Sequence, residues 1–182
     1  MKRFLFDVDG VSANFTLMYL DCLFEATGIR RSMKDAAGSW DVGDALGLSK
    51  TQRAAVRSCM QLPGRAFSMK TYPGSVEAIK AISKFGDVHF VTSPYNSPTW
   101  VYDRDQWLQQ HFGWELGKKV TYTDNKHICA GDVFVDDKPD NVESWSKAWP
   151  GKLAILWDQS YNRDSDVGLR MRGWSLLLEM LT

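Results

Sequence analysis

Two pairs of aspartates sit where an apolar run gives way to a turn. Asp7 and Asp9 flank Val8 at the end of Phe4-Leu5-Phe6, and Gly10 follows at once. Asp136 and Asp137 close a second run, Asp132-Val133-Phe134-Val135. Between the pairs, Thr92 and Ser93 end Val88-His89-Phe90-Val91, and Lys126 comes shortly after Val120-Thr121-Tyr122. Paired carboxylates can hold a divalent cation, and one of them can act as a nucleophile. The whole set suits phosphoryl transfer to an aspartate. A Mg²⁺ ion between Asp7 and one of the second pair would reduce the repulsion between a carboxylate and a phosphate dianion. Asp7 would attack phosphorus. Asp9 would protonate the leaving oxygen and then deprotonate the attacking water. Thr92 or Ser93, main-chain amides near Gly10 and the Lys126 ammonium would hold the phosphoryl oxygens. Taken singly, each group has an ordinary explanation: an Asx-Gly turn, a helix cap, a solvated lysine, a strand-to-turn junction. What weighs against those explanations is that all of them recur at the ends of apolar runs, because a buried carboxylate is costly without a cation beside it.

The elements that must position these groups alternate. The run into Asp7 is a buried parallel strand, and Gly10 permits a sharp exit. A helix is expected over Phe15–Ala26, ended by Gly28. Ser49-Lys50-Thr51-Gln52 forms a capping box for a helix to about Met60, which Pro63-Gly64 ends. Further helices are expected over Val76–Lys84 and Thr99–Phe112, one containing Val142, Trp145 and Trp149, and a terminal one over Trp174–Leu181. Strands are expected at Val88–Val91, Val120–Tyr122, Asp132–Asp137 and Lys152–Trp157. Strands alternating with helices imply right-handed crossovers and a parallel sheet, with the polar strand ends on one edge. Residues 16–72 read as a small helical unit without a strand, free to hang over that edge. Trp40 stands out there among Gly38, Ser39, Asp41 and Gly43.

Composition narrows the function classes. The 182 residues are 44% hydrophobic with eight Trp, enough for a real core and one domain with a modest insertion. The Trp could equally serve a homodimer surface. Lys+Arg and Asp+Glu balance at 22 each. No broad basic face for polymeric nucleic acid is implied, whereas a small anion needs only local positive charge. Cys22, Cys59 and Cys129 are scattered, without ligand spacing, and read as three buried free thiols in a reducing compartment. The first apolar run is too short for a signal sequence, and no stretch is long enough to span a membrane, so a soluble, cytoplasmic protein is expected.

These residues resemble the haloacid dehalogenase superfamily of phosphatases, and within it the 5'(3')-deoxyribonucleotidases. Four stretches carry the narrower likeness: Asp7-Val8-Asp9-Gly10-Val11-Ser12-Ala13-Asn14-Phe15; Pro63-Gly64-Arg65-Ala66-Phe67 with Tyr72-Pro73-Gly74; Val91-Thr92-Ser93-Pro94; and Lys126 through Asp136-Asp137-Lys138-Pro139-Asp140. The resemblance implies a Rossmann-like α/β core, three-layered around a parallel sheet, from residues 1–15 and 73–182. It also implies a small helical cap of the C1 type, residues 16–72, inserted after the first strand. It implies Asp7 as nucleophile and metal ligand, and Asp9 as acid/base and ligand through its carbonyl. Asp137 would be the third ligand for Mg²⁺, with Asp136 supporting it. Thr92, Ser93, Gly10 and Lys126 would hold phosphate, and Phe15 with Trp40 the base of a nucleoside monophosphate. Lys138 replaces an Arg of those relatives, turning a bidentate donor into a point charge. Two other readings stand beside a nucleotidase: a phosphatase of the same mechanism acting on another small phosphomonoester or a nucleic-acid end, and a non-catalytic nucleotide-binding module.

Overall fold

The computed structural model describes residues 1–182. Six parallel strands form one sheet in the order β3-β2-β1-β4-β5-β6: β1 Arg3–Phe6, β2 Asp87–Thr92, β3 Val120–Tyr122, β4 Val133–Asp136, β5 Leu153–Trp157 and β6 Leu169–Met171. The expected α/β architecture is present. The chain builds outward from β1 to β3 on one side, then crosses to β4 and builds outward again. β1 and β4 are therefore neighbours at the point where winding reverses, the place in an open parallel sheet where a crevice opens at the strand ends. Phe6 pairs with Val135, and the Asp7 amide donates to the Val135 carbonyl at 2.9 Å. That register brings the two acid pairs side by side.

The central strands are buried on both faces, which explains their unbroken apolar runs. Phe4, Phe6, Val88, Phe90, Val133 and Val135 join one core, which also contains Trp107 and Trp174. Leu5, Val91, Phe134, Ala154 and Leu156 face the other way, onto Trp145. Trp145 stacks on Phe134 at 5.3 Å between ring centres and donates its indole N–H to the Cys129 carbonyl at 2.9 Å. A buried Trp needs such a partner.

Helices α4 (Ser75–Ile82), α5 (Trp100–Phe112), α6 (Trp114–Gly117), α7 (Pro139–Ala148) and α8 (Trp174–Leu181) alternate with the strands. Trp149 caps α7 rather than lying within it. Between β1 and α4 lie α1 (Phe15–Thr27), α2 (Val42–Ala45) and α3 (Lys50–Met60), with no strand. Asn14 caps α1 by accepting from the Leu17 amide, and Gly28 ends it in the left-handed region. The capping box of Ser49 and Gln52 opens α3 as expected. Where the chain leaves the sheet and where it returns are tied together. The Asn14 amide donates to Lys70 at 2.8 Å, and the Tyr72 amide donates to Ser12 at 2.8 Å.

Beyond Trp149, three expectations need correction. Strand β6 was not foreseen: three residues of mixed exposure at the sheet edge carry no periodic signal. β4 ends at Asp136, so Asp137 already belongs to the turn into α7. Cys22 and Cys59 are buried, but Cys129 is only half-buried, because it lies at the end of a 3₁₀ turn outside the sheet. No helix is long and apolar enough to cross a membrane.

Candidate active site

The acids converge where β1 and β4 end. Carboxylate oxygens of Asp7, Asp136 and Asp137 all lie within 4.8 Å of one another, and the three side chains are buried. The Lys126 ammonium, also buried, sits among them, 2.7 Å from Asp7 Oδ2 and 2.8 Å from Asp136 Oδ2. Lys126 opens a 3₁₀ turn, Lys126–Ile128, that follows β3.

Burial holds the Asp7 carboxyl well above the ordinary carboxylate range, and Lys126 only partly offsets this. Burial, then the Asp136 charge, pushes Asp137 up to about 7. Burial opposes the charge on Lys126, yet Asp136 and Asp7 together raise its pKa. Three buried carboxylates against one ammonium leave negative charge without a counter-charge. An all-oxygen site with that deficit fits a hard divalent cation.

The two residues of the Asp136-Asp137 pair have different surroundings. Asp136 Oδ1 accepts from the Lys138 amide at 2.8 Å, and the Asn141 side-chain amide reaches Oδ1 and Oδ2 at 3.2 and 3.1 Å. With Lys126 also on Oδ2, Asp136 is fully engaged and does not line the cavity, whereas Asp137 does. Tyr161 donates its hydroxyl to Asp137 Oδ2, and Asn162 bridges the Asp137 and Trp157 carbonyls at 2.7 and 2.8 Å. Gly10 packs directly against this residue. With φ at +77°, a β-carbon there would lie 2.4 Å from Asp137 Oδ2. Gln159 donates to the Gly10 carbonyl at 2.6 Å, which fixes the turn.

Asp9 stands apart from the trio. Its Oδ1 accepts from Arg104 Nη2 at 2.6 Å, and its side chain keeps 22% exposure at the floor of the cavity. Burial raises the Asp9 pKa, and Arg104 opposes the rise.

Thr92 ends β2 with its hydroxyl buried and bonded to nothing, an unused donor facing the same cavity. Ser93 spends its hydroxyl on the Thr123 carbonyl at 3.3 Å.

A cavity of about 720 Å³ opens above these groups, between the strand ends and α1–α3. Phe15, Tyr19, Trp40, Tyr95 and Trp100 give it an aromatic wall. Phe15 lies 6.3 Å from both Tyr95 and Trp100, and Tyr95 lies 5.0 Å from Trp100. Trp40 is 58% exposed and stands at the rim, with Lys138 Nζ 4.5 Å from its ring centre. The structure therefore brings Asp7, Asp9, Gly10, Thr92, Ser93, Lys126 and Asp137 to one cavity floor, with Phe15 and Trp40 on its walls.

Sequence reasoning passed over Arg104, Asn141, Gln159, Tyr161 and Asn162. Arg104 left a trace: it lies between Trp100 and Trp107 on the buried stripe of α5, where a charge is out of place. Tyr161 and Asn162 sit on a short 3₁₀ turn after β5 and left none.

Comparison with known proteins places this arrangement. A family model described as 5' nucleotidase, deoxy (pyrimidine), cytosolic type C protein matches residues 2–182. The mitochondrial 5'(3')-deoxyribonucleotidase of Mus musculus is 29% identical over 150 residues, 76% of this chain and 65% of that protein. The 5'(3')-deoxyribonucleotidase of Bacillus subtilis is 27% identical over 107 residues, 59% of each chain. A solved Bacillus subtilis structure described as a HAD-hydrolase bound to magnesium shares the fold with a TM-score of 0.61. The two are 13% identical, and the match covers 99% of this chain and 98% of that one.

Proposed function

The chain belongs to the 5' nucleotidase, deoxy (pyrimidine), cytosolic type C family, and from that membership we propose that it is a Mg²⁺-dependent nucleotidase releasing phosphate from (deoxy)nucleoside monophosphates through an aspartyl phosphate. That it is a phosphoric monoester hydrolase follows from the family. The finer reading rests above all on one observation: an aromatic-walled cavity of about 720 Å³ stands over the buried carboxylate cluster. In this reading residues 16–72 form the cap, and residues 1–15 with 73–182 the core.

Asp7, Asp137 and the Asp9 carbonyl would hold Mg²⁺, with Asp136 supporting them. When bound, the ion supplies the positive charge that lets a carboxylate approach a phosphate dianion. Asp7 attacks phosphorus: an oxygen–phosphorus bond forms to its carboxylate, and the bond to the sugar oxygen breaks. Asp9, at the cavity floor with one oxygen held by Arg104, gives its proton to that leaving oxygen. Water then attacks phosphorus, Asp9 takes its proton, and Asp7 is released. Lys126, the Thr92 hydroxyl with no protein partner and the amides around Gly10 hold the phosphoryl oxygens. Ser93 completes the phosphate side of the cavity. The aromatic wall excludes water and offers ring faces to a base.

Phosphate release from deoxynucleotides, ribonucleotides and sugar phosphates, each with and without Mg²⁺, tests the reading. Nucleotides should be preferred and turnover should need the ion. A strong preference for sugar phosphates would sink it.

Two expected outcomes follow from the cavity. Trp40→Ala should raise KM about tenfold with kcat little changed, since a base stacked on a ring is worth on the order of 1–3 kcal/mol and is held alike in ground and transition states. Steady-state kinetics on a nucleotide would show it, and an equal fall in kcat would place Trp40 in the chemistry instead. The second concerns pH. The folded pKa of Asp137, about 7, lies above its unfolded value. The stability it confers on metal-free protein is complete below roughly pH 4 and is lost as pH rises through about 7. Mg²⁺ favours the ionised cluster. Thermal scans should therefore show the metal-free protein weakening from pH 5 to 8, and saturating Mg²⁺ raising Tm by roughly 5–10 °C at pH 8. The rise should be smaller at pH 5. A pH-independent increment would mean that the cation binds elsewhere.

A further inference from the structure

Arg104 is a buried charge with a single ionic partner. Its side chain is fully buried on α5, with the guanidinium 5.4 Å from the Trp100 ring centre and 5.2 Å from that of Trp107. Nη2 donates to Asp9 Oδ1 at 2.6 Å and touches Met69 Sδ at 3.6 Å. Nε and Nη1 donate to nothing. Burying a guanidinium with two donors unused is expensive. Packing alone does not explain this arginine. Its one ionic contact is the carboxylate at the floor of the cavity.

The surroundings of Arg104 make it a rigid tool. One residue earlier, Asp103 Oδ2 accepts from the Gly64 amide at 2.7 Å and from the Thr99 hydroxyl at 3.0 Å. One turn later, Trp107 donates its indole N–H to the Met69 carbonyl at 2.7 Å. The same face of α5 thus grips the segment returning from the cap on both sides of Arg104, and the arginine projects between these anchors onto Asp9. It holds Oδ1, and Oδ2 accepts nothing from the protein.

We infer that Arg104 is the positioning residue for Asp9: it fixes the carboxyl so that one oxygen is committed to the guanidinium and the other is aimed at the leaving group. The inference rests on the proposed nucleotidase reading, in which Asp9 gives up and later recovers a proton. Arg104 itself touches no substrate. Its effect must appear in the steps that need proton transfer and not in those that do not.

Arg104→Met separates the two. With p-nitrophenyl phosphate the leaving nitrophenolate departs without a proton, so phosphorylation of Asp7 should proceed at nearly the wild-type rate. Release of phosphate from Asp7 still needs Asp9 to take a proton from water. The variant should therefore show a burst of about one nitrophenolate per site, then a slow steady state. With deoxyuridine 5'-monophosphate the leaving alkoxide needs the proton, so single-turnover cleavage should fall roughly 100-fold with no burst, the size of a misplaced acid–base group. Thermal scans should find the variant folded, with a lowered Tm at pH 8 because Asp9 loses its counter-charge. Arg104→Lys, which keeps the charge and folds with less change in the site, should recover at least tenfold of the lost nucleotide cleavage. Equal losses in single-turnover cleavage of the two substrates in Arg104→Met, or in Arg104→Lys should the first variant not fold, would make Arg104 merely structural and overturn the inference. So would unchanged nucleotide cleavage. A wild-type protein inert toward both substrates with Mg²⁺ would overturn the nucleotidase reading and this inference with it.

Discussion

Asp7→Asn is expected to lower nucleotide turnover by roughly four orders of magnitude or more, the scale of losing a covalent nucleophile, while the protein stays folded. The change replaces one oxygen of a carboxylate by an amide nitrogen, and an amide cannot attack phosphorus. The rest of the site has reasons to survive. The Val8 amide donates to Asp7 Oδ1 at 2.7 Å, and an amide oxygen can accept that bond. Lys126 keeps its 2.8 Å contact with Asp136. Asp136 and Asp137 both push the Asp7 pKa up, so removing the Asp7 charge relieves repulsion inside a buried cluster. Metal-free Asp7→Asn should therefore melt no lower than wild type at pH 8, and a phosphate mimic should still bind. Phosphate release, thermal scans and binding of vanadate, measured on one preparation, check all three. Turnover above about one hundredth of wild type would refute attack by Asp7, because no remaining group is placed to take over at such a rate.

How much of this was legible in the sequence depends on the range of the signal. The runs Phe4–Phe6, Val88–Val91 and Val133–Val135 announced central strands, because burial on both faces leaves no polar alternation to confuse them. The caps at Ser49 and Gly28 lie within four residues of what they cap, so they could be read locally, whereas the Asn14 cap was not read. The Asp7–Asp137 region was legible for a different reason: strand ends of a parallel sheet share an edge, so topology supplied proximity that spacing along the chain could not. Arg104 and Asp9 are 95 positions apart, and Tyr161 and Asp137 are 24 apart. Those pairings depend on how α5 and the turn after β5 lean over the sheet, which no short pattern encodes. Trp40 was singled out because its neighbours could not bury it, and its 58% exposure agrees with that reasoning. That the Lys138 ammonium would stand 4.5 Å from its ring could not be read, since the rim is built from two segments about a hundred residues apart. Strand β6 was missed because its three residues are of mixed exposure and too few to show a period.

Lys126→Met should do two kinds of damage at once, and pH tells them apart. Lys126 is 3% exposed and is the only cation among Asp7, Asp136 and Asp137. Methionine fills its volume but leaves three buried carboxylates facing one another. Breaking a buried ion pair from one side costs about 3–5 kcal/mol, so the metal-free variant should melt well below wild type at pH 8. The penalty is electrostatic, and protons can relieve it. Burial and neighbouring charge already raise Asp7 and Asp137, and losing the ammonium raises them further. At pH 5 the cluster takes up protons and the deficit should shrink. Mg²⁺ should narrow it at pH 8 by the same logic, since a divalent ion supplies the missing charge. Activity should not follow stability back. In the proposed function Lys126 also holds a phosphoryl oxygen, and removing one such donor costs roughly 10²–10³ in kcat. Mg²⁺-saturated Lys126→Met should thus regain most of its melting temperature and little of its turnover. A variant that melts with wild type at pH 8 without metal would show that the three acids do not share one charge deficit. A variant that regains full turnover with Mg²⁺ would show that Lys126 balances the acids without holding the phosphate.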